Sequence, residues 1–175
     1  MIVSKRISDE KMVDLKNTYI KPSQIDTILT HDTIVYTEEG KLLLVYSFSP
    51  FVILEPNLET GECSVYQNET QKYNYSNFRG GSQGFYIGDS LYFIIHEVVF
   101  DNGRIYFHRF VKVDKDLNIE KVSYPFYFQN WGIEYVTGAI YDQKNNRILI
   151  SWGSNDKLAN LSSITIENLN LLFEQ

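Results

Sequence analysis

Glu97, Glu134, Asp156, Arg79, Arg109, His96 and His108 are the side chains of this sequence that could share one piece of chemistry. Two carboxyl groups can divide proton transfer between an acid and a base. A guanidinium can clamp a carboxylate, a phosphate or sugar hydroxyls through parallel hydrogen bonds. Glu134 opens the run EYVTGAIYD and is the carboxylate best placed for substrate contact or acid–base work, with Glu97 or Asp156 as its partner. Arg79 leads into Gly80, Gly81 and Ser82, where glycines without Cβ let a backbone or a ligand come close. Each residue also has a plainer reading. The arginines can pair with neighbouring carboxylates, His108 can pack among aromatics, Asp156 can cap a turn in GSND, and the two glycines can serve tight packing.

Other chemistries find no support. The three histidines are not closely spaced and Cys63 has no companion, so no metal site is expected. There is no phosphate-binding loop, dinucleotide fingerprint or nucleophile elbow, and no cofactor is expected. Gly80-Gly81 is no phosphate cradle, because no helix pattern follows it. The net charge is −6 with scattered basic residues, which argues against nucleic acid and anionic membrane as partners. A lone cysteine excludes an internal disulfide, and the start MIVSKRISDEK lacks the apolar stretch of a signal peptide. The expectation is a soluble, cytoplasmic protein.

The elements that must position these residues are short β-rich runs. At 175 residues the chain can form one domain with a real core. Aromatics reach 15%, mostly Tyr and Phe, which suit half-buried pleated surfaces. Ser8 and the spacing of Met12, Leu15 and Tyr19 predict a short helix over 8–19. From residue 24 onward a unit recurs three times: strand, tight turn, long strand, further strands. Its turns fall at Glu39-Gly40, Gly88-Asp89 and Asn145-Asn146. Four antiparallel strands every ~40–50 residues are the mark of propeller blades. The expected fold is all-β: a partial propeller of about three four-stranded blades, near 24–68, 78–128 and 132–175, with an N-terminal helix or strand. A two-sheet sandwich is the alternative. Three blades do not close a ring, so self-association into a homo-oligomer is expected.

Hairpin counting places the candidate residues. A two-residue loop at Gly88-Asp89 sets Gly81 opposite His96 and Gly80 opposite Glu97, with Arg79 just beyond. The third turn sets Tyr135 opposite Asp156, near Trp152. The first sets His31 opposite Phe48 and Asp32 opposite Ser47. Blades standing side by side would bring these polar ends to one mouth, a default ligand site. A bulge would shift the count. His96 and Glu97, adjacent on a strand, point to opposite faces.

The motifs NFRGGSQ (77–83), HE (96–97), YFHRFVKVD (106–114), PFYF (125–128), GIEYVTGAIYD (132–142) and ISWGSND (150–156), with YSFSP (46–50), carry a resemblance. Over roughly residues 33–165 the chain resembles β-propeller domains related to the five-bladed glycoside hydrolases and glycoside phosphorylases (families 43 and 130), of the type often found beside glycosyltransferase domains. It departs from them in reading THDT at 30–33, where relatives carry Asn-Trp-x-Pro, and in lacking the N-terminal blades that supply a catalytic carboxylate. The resemblance implies a carbohydrate-associated role with a saccharide or glycan ligand, and a glycosyltransferase as partner. Hydrolysis would need carboxyl groups about 5–5.5 Å or ~6.5–9.5 Å apart. Phosphorolysis would need a basic pocket to which Arg79 and Arg109 could contribute. Binding without catalysis would use aromatic surfaces such as Tyr46, Trp131 or Trp152. The missing blades tilt the reading toward a degenerate, non-catalytic protein, and a purely structural assembly module is the alternative.

Overall fold

A computed structural model describes residues 3–6, 33–36, 40–70, 75 and 77–173. The predicted helix over 8–19, and with it His31 and Asp32, lies outside the described residues.

Three antiparallel sheets follow one another along the chain. The first is a meander of β2 (Thr33–Tyr36), β3 (Leu42–Phe48), β4 (Phe51–Pro56) and β5 (Cys63–Glu69), in that spatial order. The second is built on β8 (Ser90–Phe100) and β9 (Arg104–Val113), with β10 (Ile119–Val122) outside β9. On the other side of β8 lie β6 (Phe78–Gly80) and β7 (Phe85–Ile87), end to end as one interrupted strand. The third comprises β11 (Glu134–Asp142), β12 (Arg147–Ser154) and β13 (Leu158–Thr165). Its fourth position is taken by the N-terminal β1 (Val3–Arg6), which pairs with β13 from Val3 opposite Ser163 to Arg6 opposite Asn160. The architecture is all-β and arranged as a partial series of blade-like sheets. Among the described residues no sheet closes on itself.

The middle sheet is buried on both faces, and the sequence shows why. Alternation sends Leu91, Phe93 and Ile95 to one side and Tyr92 and Ile94 to the other. The first group joins Val111 and Val113 against Leu43, Val45, Phe51 and Ile53 of the first sheet. The second joins Phe110 against Val136, Ile148, Ile150 and Trp152 of the third. The run LYFIIH is therefore apolar on both faces, as a strand between two cores must be. Each fully buried large side chain contributes about 1.5–3 kcal/mol.

The run LSSITIENLNLLF, at the end of the third β-rich unit expected from sequence, divides. β13 ends at Thr165 and α1 (Ile166–Phe173) follows. Thr165 Oγ1 accepts the amide of Asn168 at 3.3 Å, a cap the strand reading overlooked. Leu169 then buries into the second core, with Ile166, Leu172 and Phe173 packed beside it at helical spacing. The expected fourth strand through PFYF is also shorter. β10 stops at Val122, because the Ser123 hydroxyl takes the amide of Phe110 at 2.9 Å and replaces a backbone rung. Pairing resumes only at a bridge between His108 and Phe126.

Candidate functional site

The Gly88-Asp89 turn is as counted, with Ile87 opposite Ser90 and Gly88 at φ +58°. Beyond Phe85 the count slips by two. Arg79 pairs with His96 and Gly80 with Ile95, so four residues, Gly81 to Gly84, oppose only Phe93 and Ile94. Ser82 explains the bulge. Its amide donates to the Ile94 carbonyl at 3.1 Å and its hydroxyl accepts the Ile94 amide at 2.9 Å, so one residue satisfies both backbone groups. Gly81 suits this position, since a Cβ would stand 3.0 Å from the Ile94 carbonyl oxygen and push the backbone aside. The third hairpin is also shifted. Its turn spans Gln143 to Asn146, Thr137 bulges, and Tyr135 faces Gly153 rather than Asp156. In the first hairpin Thr33 faces Val45, one residue off the count.

Across the middle sheet, Arg79, His96 and His108 form one cross-strand row. Arg79 is exposed and donates from Nη1 to its neighbour's Phe78 carbonyl at 2.8 Å. His96 is buried between Tyr106 and Tyr135, with ring centroids 5.5 and 5.1 Å away. His108 is completely buried, 5.0 Å from Phe128 and 5.7 Å from Phe126, and neither ring nitrogen makes a hydrogen bond. Burial, reinforced by nearby His96, pushes its pKa down from 6.5 to about 3. The Phe126 and Glu134 backbones oppose that drop by proximity without closing a bond to the ring.

The opposite face of the same sheet carries Glu97 and Arg109. Arg109 Nη2 lies 3.6 Å from the Glu97 carboxylate, Nη1 donates to the Ser123 carbonyl at 2.9 Å, and the guanidinium sits over the Phe78 ring at 5.5 Å. Phe78 belongs to the core shared with the first sheet. The paired-arginine reading from sequence fits this environment.

Glu134, at the start of β11, is 3% exposed. Its carboxylate accepts three backbone amides: Phe128 at 2.6 Å, Gln129 at 3.0 Å and Asn130 at 2.9 Å. It thus holds the loop that follows the middle sheet. Trp152 is 1% exposed, stacked 4.5 Å from Phe128, and donates from Nε1 to Ser162 at 2.7 Å. Asp156 sits at φ +54° in a tight turn with Asn155, where Lys157 donates to the Ser154 carbonyl at 3.1 Å. The candidates therefore gather in three places rather than at one rim. Arg109 and Glu97 lie toward the first sheet, His96, His108, Glu134 and Trp152 toward the third, and Asp156 lies in an outer turn. Glu97 is paired with Arg109, whereas the Glu134 carboxylate is taken up by the amides of residues 128–130.

Sequence reading names Trp131 as an aromatic surface but not its neighbours Phe107 and Tyr127. Phe107 stands opposite Glu97, and Tyr127 and Trp131 lie on the segment Glu134 braces. The signal for Tyr127 was the density of rings in PFYFQNW. Among the described residues no group of His, Cys, Asp and Glu is placed to hold a metal. No described helix is long and apolar enough to cross a membrane.

No family model matches the chain, and no curated protein matches it. Its fold is similar to that of solved structures. One is MPT-4, a mannose phosphorylase from Leishmania mexicana solved with a phosphate ion: TM-score 0.51 and 10% identity, over 82% of this chain and 53% of that one. Another is a hypothetical protein from Leishmania major, with TM-score 0.52 and 9% identity, over 77% of this chain and 51% of that one. The chain spans about half the length of these structures. At such identity the likeness concerns fold alone.

Proposed function

We propose that this protein is a carbohydrate-associated, propeller-like protein that binds a glycan without cleaving it. Its three sheets act as blades, the third completed by the N-terminal β1. Support for carbohydrate comes from the fold shared with a mannose phosphorylase. Support for binding over cleavage comes from one observation: the Glu134 carboxylate is committed to three backbone amides inside the protein. A carboxylate so engaged, and 3% exposed, stabilises a loop and is held away from bulk solvent, which disfavours it as a proton-transfer group. The exposed Arg79 and the partly exposed Glu97–Arg109 pair are polar groups that would meet sugar hydroxyls. A thermal-shift panel of mono- and disaccharides, run beside an assay for released sugar, tests this. A raised melting temperature with no product supports it; product formation, or no shift with any saccharide, counts against it.

A second reading, assembly through sheet edges, has its own observation. β5 is an edge strand, and its Val65 and Tyr66 are exposed. This reading expects a homo-oligomer by light scattering and no response to saccharides. A glycosyltransferase would be the natural partner of a glycan-binding propeller, and the cytoplasm its compartment.

A further inference from the structure

We infer that Trp131, with Tyr127 and Phe107, forms a stacking surface for a pyranose ring of that glycan, and that Glu134 is the positioning residue that holds it. The inference rests on the glycan-binding reading above and deepens it.

Trp131 is 66% exposed, although a large apolar ring is stabilised by burial. It is not isolated. Its ring meets Phe107 at 6.4 Å and 72°, and Tyr127 at 6.5 Å and 86°, edge-to-face contacts that fix its orientation while leaving indole surface open. Tyr127 is exposed as well. Three rings from two segments thus make one partly solvated aromatic surface.

The surface is built rather than incidental. Gln129 and Asn130, just before Trp131, are tied by their amides to Glu134. Just after it, the Gly132 carbonyl accepts the Tyr106 amide at 3.0 Å, and the Ile133 carbonyl accepts the Asn155 amide at 2.8 Å. The loop is therefore anchored on both sides of the indole. Ordering it beforehand removes an entropy cost that a ligand would otherwise meet.

Its border is polar in the way a sugar requires. Phe107 lies directly opposite Glu97 across the β8–β9 ladder, and Glu97 is joined to Arg109. That pair is only partly covered and offers both an acceptor and donors beside the rings. A pyranose presents an apolar C–H face edged by hydroxyls, which matches aromatic surface beside hydrogen-bonding groups. An acyl chain would leave the charged pair unused, and an anionic headgroup would meet a chain of net charge −6.

The test uses the chain's own reporter. It has two tryptophans, and Trp152 is buried, so iodide-accessible fluorescence comes from Trp131. Methyl pyranosides and disaccharides, mannose-based ones included, are titrated into the full chain while emission and iodide quenching are followed and heat is measured in parallel. The expected result is a saturable emission change with protection from iodide. Trp131→Ala and Tyr127→Ala, both surface changes, are expected to weaken the binding heat about tenfold or more with an unchanged melting temperature. Glu134→Gln is expected to weaken binding while raising iodide access to Trp131, a readout that simple loss of a sugar contact would not move. Binding heat that persists at full strength in Trp131→Ala and Tyr127→Ala overturns the site and leaves the glycan-binding reading standing. Absence of heat and fluorescence change with every saccharide overturns both. Unchanged iodide access in Glu134→Gln overturns the positioning role.

Discussion

Acid is expected to destabilise this protein through His108. In the folded chain the imidazole is sealed among aromatic rings, with a pKa lowered from 6.5 to about 3, mainly by burial and then by His96. In the unfolded chain it returns to 6.5. Above that value it is neutral in both states and contributes no pH dependence. As pH falls below 6.5 the unfolded state takes up the proton first, so stability declines until pH reaches the folded value. At about 1.36 kcal/mol per unit, lowering the pH from 7 to 5 removes about 2 kcal/mol through this one residue. Substituting Phe or Leu removes the titration but also alters packing by a fixed amount. The informative quantity is therefore a difference of differences. Urea unfolding of wild type and His108→Leu at pH 7 and pH 5 should show wild type losing about 2 kcal/mol more than the variant across the interval. Parallel losses in the two proteins, or the His108 imidazole itself titrating near 6.5 in the folded chain by NMR, would refute the reasoning.

Four further outcomes follow from the contacts. Glu134→Ala strips three amides of their acceptor and is expected to cost about 3–5 kcal/mol, with faster hydrogen exchange at residues 128–130. Gly81→Ala places a methyl against the Ile94 carbonyl and is expected to cost about 1–3 kcal/mol in thermal or chemical unfolding. Glu97→Gln removes one charge of an ion pair at 3.6 Å whose side chains keep only 25% and 22% of their surface exposed, while Arg109 retains its bond to Ser123; a loss of about 1 kcal/mol is expected, with a salt-dependent difference. Trp152→Phe loses the bond to Ser162 and part of the stack on Phe128; a cost of about 1–3 kcal/mol by denaturant titration is expected.

What the sequence reveals here is set by locality. The turn at Gly88-Asp89 depends on a glycine at positive φ, so its register near the turn could be counted from residue types alone. The continuous burial of LYFIIH likewise reports a strand with cores on both sides. The bulge at Gly81–Gly84 was not countable, because it depends on the Ser82 hydroxyl reaching the backbone of Ile94 across the ladder. One such slip relocates every residue beyond it, which is why Arg79 rather than Gly81 meets His96. The sequence singles out Glu134 for substrate contact or acid–base work, and its carboxylate is bonded to three backbone amides. Its partners, amides of residues 128–130, carry no side-chain signature and could not be read from letters. The N-terminal strand beside β13 joins the two ends of the chain, a pairing that local pattern does not reach.

Calorimetric titration of the full chain with the saccharide panel, followed by chromatography of the same samples with and without inorganic phosphate, addresses the central claim most directly. Saturable heat with at least one saccharide, and that saccharide recovered intact, is the expected result. Heat from none of them, or a shortened or phosphorylated sugar in the recovered sample, would contradict a protein that holds glycan and keeps its buried carboxylate for its own backbone.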